Sequence, residues 1–217
     1  MMNYSIRPAS RQFGFDRGQP VDRYYIEQFL KEQRHVIKGN VLEIGENRYT
    51  KEFGTDVASL NILDIDNYPG VTIVANLETG ENIPESTYDC FILTQVIHIL
   101  YDVKTAIRNA VRVLKPGGSL IVTVPGLSQS CRTKEYGDYW RFTSMSFERL
   151  LSETSSVENV DMNSYGNLAT AQAFLDGRAA HEIPRGYFTY KDPQYELVMA
   201  AVVTKSSQLE KGDEVHG

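Results

Sequence analysis

Gly39-Asn40-Val41-Leu42-Glu43-Ile44-Gly45-Glu46-Asn47-Arg48-Tyr49 is the stretch on which the reading of the fold turns. Val41, Leu42 and Ile44 form a short apolar run ended by Gly45, the pattern of a buried strand breaking into a tight turn. Glu43 interrupts the run, and a carboxylate near the end of a buried strand costs free energy unless something pairs with it. Asn47 follows, and after glycine Asn is among the residues that most readily take positive φ. A backbone without bulky Cβ groups approaches a ligand closely. The stretch therefore suits a cofactor-binding edge, although a glycine-ended strand in an α/β protein is more often just a turn.

Working outward, residues 1–20 are polar, rich in Gly, Pro and Arg, and aperiodic, as in an N-terminal arm. Tyr25, Ile26, Phe29, Leu30 and Val36 fall at helical spacing between Val21 and Ile37, with Gly39 after the end. Strands are expected over 41–45, 59–66, 72–77 and 89–94, the last continuously apolar as in a strand buried on both sides. A helix over 103–114 is stopped by Lys115-Pro116-Gly117-Gly118, and a fifth strand runs from Ser119 to Val124. A polar, aromatic loop covers 127–142. Helix is expected over 144–151, strand over 157–165, an Ala-rich helix over 167–181 and a last strand over 197–203. The domain reading is an arm at 1–20, one domain at 21–205 and a polar tail at 206–217. The alternation implies a single doubly wound, mostly parallel seven-stranded sheet with helices on both faces. Ligands of such sheets bind outside the carboxyl ends of the strands, which gathers Gly45, Asp64, Asn76 and Gln95 along one edge.

Composition narrows the function. A length of 217 residues suits one α/β domain. The net charge of −6 argues against a general nucleic-acid or anionic-membrane binder. No apolar run reaches the length of a membrane span, and no signal-peptide core opens the chain. Cys90 falls in a strand and Cys131 in a polar loop, so the two cysteines support no disulfide and fit a cytoplasmic setting. The four histidines are scattered and show no metal-ligand spacing.

The ordered set Val41-Leu42-Glu43-Ile44-Gly45, Leu63-Asp64-Ile65-Asp66, Ala75-Asn76-Leu77, Tyr88 to Leu100 and Leu114-Lys115-Pro116-Gly117-Gly118-Ser119-Leu120 resembles the class I S-adenosylmethionine-dependent methyltransferases, the type 11 group in particular. The resemblance spans about residues 40–205 and implies S-adenosylmethionine as cofactor. It implies that Glu43 and Gly45 edge the pocket beside the methionine part of the cofactor, with Asn47 in the same cofactor-binding loop. Asp64, with Asp66 as a rival, would accept from the ribose hydroxyls. Asn76 and Leu77 would lie by the adenine, and Thr94 and Gln95 near the sulfonium. N-terminal residues often cover the cofactor in this class, so Arg23 would pair with its carboxylate and Tyr24 would hydrogen-bond nearby; a solvated helix start is the competing reading. The family carries glycines at alternate positions after the acid, whereas Asn47 and Tyr49 stand here. That departure implies either another loop path or a methyltransferase-like binding or scaffold protein without activity.

The implied reaction is methyl transfer to a small-molecule or sugar-containing acceptor, at oxygen or nitrogen. Alignment supplies much of such a displacement, and a hydroxyl acceptor benefits from a base. His98, three residues beyond Gln95 on the same strand edge, is the nearest candidate base, although its apolar neighbours also suit a structural histidine. Tyr136-Gly137-Asp138-Tyr139-Trp140-Arg141-Phe142-Thr143 follows the fifth strand, where an acceptor site would open. Asp138, Tyr139, Trp140 and Arg141 offer stacking and hydrogen bonds to an acceptor, or else Trp140 anchors the loop while Arg141 pairs with Asp138. A nicotinamide-dependent oxidoreductase is disfavoured, because its fingerprint needs three spaced glycines in the first turn.

Overall fold

A computed structural model describes residues 5–131 and 137–207; Tyr136 and the tail from 208 onward lie outside them. The strands are β1 Gly39–Ile44, β2 Val57–Asp64, β3 Ile73–Val74, β4 Tyr88–Thr94, β5 Leu114–Pro125, β6 Val157–Tyr165 and β7 Val198–Lys205. They form one sheet in the order β3-β2-β1-β4-β5-β7-β6. β1 to β5 pair in parallel, and β7 runs antiparallel to both β5 and β6. The helices are α1 Val21–Glu32, α2 Arg48–Phe53, α3 Val103–Arg112, α4 Ser144–Ser152 and α5 Leu168–Leu175. The expected doubly wound α/β sheet is present.

Alternation along each strand explains why the sheet needs two helical layers. Leu42, Phe91, Leu93, Leu120, Val122, Met199 and Ala201 join α3 and α4 in one core. Their neighbours Val41, Cys90, Ile92, Ile121, Val198 and Ala200 join α1, α2 and α5 in the other. Side chains of a strand point alternately to opposite faces, so a strand apolar at every position is stable only when both faces are covered. α1 alone buries Val21, Tyr25, Ile26, Phe29 and Leu30, each contributing about 1.5–3 kcal/mol of burial. Truncating fully buried Phe29 to Ala would cost about 3–5 kcal/mol. Asp102, Thr143 and Asn167 cap α3, α4 and α5 by accepting from backbone N–H groups three residues on.

Four expectations about elements change. The third strand is only Ile73–Val74, not 72–77. Beyond it Asn76 Oδ1 accepts from the Glu78 N–H at 2.8 Å, and this local turn competes with a sheet ladder. The Ala-rich helix ends at Leu175 rather than 181; at Gly177 (φ 74°) a Cβ would lie 2.3 Å from the Ser10 carbonyl. Lys115 to Gly118 lie inside the span of β5 as a bulge. Tyr88 faces Leu114 and Cys90 faces Ser119, leaving those four residues opposite Asp89 alone. The bulge delivers Lys115 Nζ to 2.7 Å from Asp89 Oδ2, which also accepts from the Asn40 N–H at 2.7 Å. Finally, Arg48–Phe53 is helical, so the chain after Gly45 winds at once into α2.

The described N-terminal residues, from Ser5 onward, form no helix or strand before Val21, yet they are tied down. Ala9 and Ser10 donate to the side chain and carbonyl of Asp176. Arg17 pairs with Glu182 through both carboxylate oxygens, and Pro20 bridges to Ala179. Phe13 lies against Phe174, with ring centroids 6.1 Å apart. Among the described residues no helix is long and apolar enough to cross a membrane.

Candidate functional site

The carboxyl ends of β1, β2 and β4 open into a cavity of about 520 Å³. Glu43, Gly45, Asp64, Asn76, Leu77 and Thr94 line it, as do Arg23 and Tyr139. A second cavity of about 250 Å³ adjoins it, lined by Gln95, His98 and Arg141 together with Asp22 and Phe13. Phe15, Arg23, Ile99 and Gly137 belong to both walls. Tyr24, Asn47, Asp66, Asp138 and Trp140 line neither cavity.

Glu43 sits 2% exposed at the end of β1. Its two carboxylate oxygens accept from the N–H groups of Tyr49 and Thr50 at 2.9 and 2.8 Å. The partner demanded by a buried acid is thus the first turn of α2. Burial pushes the Glu43 carboxyl up from its ordinary range, against the pull of those donors. Gly45 takes the positive φ of the turn, 75°, while Asn47 has φ −111° and stands as the residue before α2. The left-handed step expected at Asn47 is therefore not taken, because Gly45 has already turned the chain. Tyr49 is buried inside α2 and accepts from Arg23 at 3.1 Å.

At the end of β2, Asp64 Oδ1 accepts from the Asp66 N–H at 3.0 Å and Oδ2 from the Tyr68 hydroxyl at 2.9 Å. A carboxylate has about four lone-pair sites, so each oxygen retains acceptor capacity toward the cavity. Asn76 spends its side-chain oxygen on Glu78; its amide NH₂ is the group left to donate. Leu77 is held from behind, its carbonyl accepting from Asn109 at 2.8 Å. Among the described residues Arg23 makes no ion pair within 4.0 Å with a carboxylate; Tyr49 is its hydrogen-bond partner.

His98 stands on a 3-10 turn, Ile97–Ile99, rather than on the strand edge. Gln95 turns the chain off β4 with φ 55°, a left-handed conformation uncommon for a residue with a Cβ. The His98 carbonyl accepts from the N–H groups of Tyr139 and Trp140 at 3.0 and 3.1 Å, and Trp140 Nε1 donates to the Leu100 carbonyl at 3.0 Å. The aromatic loop is clasped to this turn. Trp140 remains 39% exposed, so it is a strap across the turn and not a core anchor. Arg141 pairs with both oxygens of Asp138 at 2.6 and 3.0 Å. Burial, then the charge of Arg141, push the His98 imidazole down to about 4, so it is neutral at pH 7.

Comparison with known proteins fits this geometry. The methyltransferase domain family matches residues 38–122, from the start of β1 into β5. Over that stretch, less than half of the chain, the sequence is similar to the methyltransferase domain family. An uncharacterized protein of Methanocaldococcus jannaschii is 30% identical over 118 residues, 51% of this chain and 55% of that protein, so the match spans about half of the curated relative. Among solved structures, an S-adenosylmethionine-dependent methyltransferase of Archaeoglobus fulgidus has a TM-score of 0.54 at 10% identity, covering 84% of this chain and 94% of that one. The N-methyltransferase NodS of Bradyrhizobium japonicum, in complex with S-adenosylhomocysteine, has 0.54 at 15%, covering 92% and 94%. The [4+2]-cyclase SpnF has 0.55 at 14%, covering 94% and 88%. These structural similarities concern the fold.

Sequence reasoning did not assign Asp22, Phe13, Phe15, Ile99 or Tyr101 to the site. Asp22 reads as a first-turn acid of α1, yet it lines the second cavity, where burial pushes its carboxyl up. The signal that was available is Phe13-Gly14-Phe15, two large aromatics in an otherwise polar arm. Tyr101 lines the first cavity, with ring centroids 5.3 Å from Tyr139 and 6.2 Å from Trp140.

Proposed function

We propose that this chain is an S-adenosylmethionine-dependent methyltransferase acting on a small-molecule or sugar-containing acceptor, at oxygen or nitrogen. The observation that carries the reading is the pair of adjoining cavities at the carboxyl edge of the sheet, the larger walled by Gly45, Asp64 and Asn76. The donor set fits the cofactor. Asp64 keeps acceptor capacity for a vicinal diol, the Asn76 NH₂ suits a ring nitrogen, and Leu77 and Ala75 give an apolar wall for a flat base. Arg23, without a carboxylate partner among the described residues, suits the amino-acid carboxylate. When bound, the cofactor supplies a methyl group activated by its sulfonium.

The residues of the second cavity then orient the acceptor toward the shared wall, and the bulk of Phe15 and Ile99 excludes water from it. Positioning of this kind removes much of the barrier to a displacement. The net charge of −6 favours a small molecule over a nucleic acid or an anionic membrane as partner, and two cysteines without disulfide spacing suit a cytoplasmic setting. Calorimetry with S-adenosylmethionine and with a nicotinamide dinucleotide tests the reading: heat with the first and none with the second is expected. Binding of the dinucleotide alone would overturn it.

A second reading, a methyltransferase-like binding or scaffold protein, is favoured by one feature. After Gly45 the chain has no alternate glycines and closes directly into α2 over the Glu43 carboxylate. Cofactor binding without release of S-adenosylhomocysteine across a broad acceptor panel would select that reading.

A further inference from the structure

Asp22 stands in the first turn of α1, where an acid ordinarily faces water and complements the helix dipole. Here it lines the smaller cavity, and burial pushes its carboxyl up, against the charge of Arg23. Oδ1 accepts from the Arg23 N–H at 2.8 Å. Oδ2 pairs with no other described residue. Four side-chain atoms among the described residues are closed off from solvent without a partner, those of Thr50, His98, Arg112 and Arg141. Asp22 Oδ2 is not one of them, and the residue as a whole is half-buried, so this oxygen keeps accessible surface.

The other charged side chains of the same wall leave Asp22 uncompensated. Arg141 is matched by both oxygens of Asp138. Arg23 donates to the Tyr49 hydroxyl at 3.1 Å, in the wall of the larger cavity, where the cofactor carboxylate suits it. His98 is neutral at pH 7. Around Asp22 the wall is largely apolar and includes Phe13, Phe15 and Phe174. A carboxylate removed from water is costly unless a counter-charge meets it, and aromatic faces attract cations as well. A neutral hydroxyl would leave the charge unmatched, and an anion would oppose it.

Resting on the methyltransferase reading above, we propose that the smaller cavity takes an amine-bearing acceptor, whose ammonium group donates to Oδ2 of Asp22 and whose carbon skeleton lies among the phenylalanines. An ammonium has no lone pair, so one of its protons passes to Oδ2 before the nitrogen forms its bond to the methyl carbon. The carbon–sulfur bond breaks with its electron pair kept by sulfur, the methylated nitrogen carries the positive charge, and the proton leaves Asp22 for water. The raised pKa of Asp22 makes its carboxylate a better resting place for that proton than a carboxylate in water.

The test uses three probes of one shape on the full chain: benzylamine, benzyl alcohol and benzoate. Calorimetry in protein saturated with S-adenosylhomocysteine gives their affinities without turnover. Benzylamine should bind at least tenfold more tightly than benzyl alcohol, and benzoate more weakly than either. The ¹³Cγ resonance of Asp22 should move with benzylamine and stay in place with benzyl alcohol, a reading that needs no variant. Asp22→Asn keeps the shape and the acceptor for the Arg23 N–H. It should bring the two affinities within about twofold of each other and lower kcat for benzylamine at least tenfold, with S-adenosylhomocysteine bound as in the parent; Asp22→Glu should restore part of the amine preference. Tighter binding of the alcohol or of benzoate, no binding of benzylamine to the S-adenosylhomocysteine complex, or an amine preference that survives in Asp22→Asn would overturn the assignment. Failure to bind S-adenosylhomocysteine at all would instead remove the methyltransferase reading.

Discussion

The hydroxyl of Tyr68 lies 2.9 Å from Oδ2 of Asp64 and also reaches the carbonyl of Gly45. It ties the end of β2 to the turn after β1 and fixes the carboxylate at the mouth of the larger cavity. Asp64→Ala should weaken binding of S-adenosylmethionine by about 1.5–3 kcal/mol, as for a lost charge-assisted hydrogen bond. Tyr68→Phe should cost about 0.5–1.5 kcal/mol by freeing the carboxylate to move. Asp66 lines neither cavity, so Asp66→Ala should leave the affinity near the parent value. Calorimetry of the three variants decides; a large loss in Asp66→Ala with none in Asp64→Ala would transfer the role.

The buried carboxylate of Glu43 should matter to stability more than to chemistry. Glu43→Ala would strand two backbone N–H groups at the start of α2, at about 1–3 kcal/mol each. Glu43→Gln keeps one good acceptor and should lose about half as much. Urea unfolding of the two variants measures the difference, and equal stabilities would show that α2 does not depend on this cap.

For His98 the sign of the pH dependence follows from its depressed pKa. The unfolded chain takes up a proton at this residue near pH 6.5, whereas the folded chain holds it neutral down to about 4. Unfolding therefore binds a proton between those values, and stability falls as the pH is lowered through that window. Arg141 and Arg23 oppose the proton from the surrounding elements and Asp138 favours it. Titration of the His98 ring by NMR should give a midpoint near 4, and His98→Gln should be less destabilised than the parent on going from pH 6.5 to 4. A midpoint near 6.5 would remove the effect.

Trp140 straps the loop to the 97–100 turn through one hydrogen bond and a half-exposed ring. Trp140→Ala should cost about 1–2 kcal/mol of stability, less than the 3–5 kcal/mol of a core aromatic. KM for the acceptor should rise several-fold, because Arg141 follows it in the chain, with cofactor affinity nearly intact. Thermal unfolding beside the two affinities checks this, and a parallel loss of both affinities would mark the loop as scaffold.

The parts of the site set by strand ends were legible in the sequence. Gly45, Asp64, Asn76 and Thr94 each close an apolar run, and the rule that ligands bind at the carboxyl edge needs only the order of the elements. The parts set by contacts between distant segments were not. Asp22 and Phe15 reach the second cavity because the aperiodic arm is fastened to Asp176 and Glu182, some 160 residues away. α2 has six residues, too few for a helical period to stand out, and is held by Glu43 instead. The Lys115–Gly118 bulge carries the composition of a helix stop, and only the Asp89 ion pair reveals what else it does.

Phe15 and Arg23 belong to the walls of both cavities. Occupancy of either cavity therefore changes the surroundings that the other presents, and the two affinities are thermodynamically linked by one and the same factor in both directions. A side chain in this partition is not a specificity handle for one ligand alone. Phe15→Ala should shift the dissociation constants of cofactor and acceptor together and lower the linkage between them. Measuring each affinity with and without the other ligand gives that coupling directly, and redesign of acceptor choice is better begun at Phe13 or Phe174, which touch the smaller cavity only.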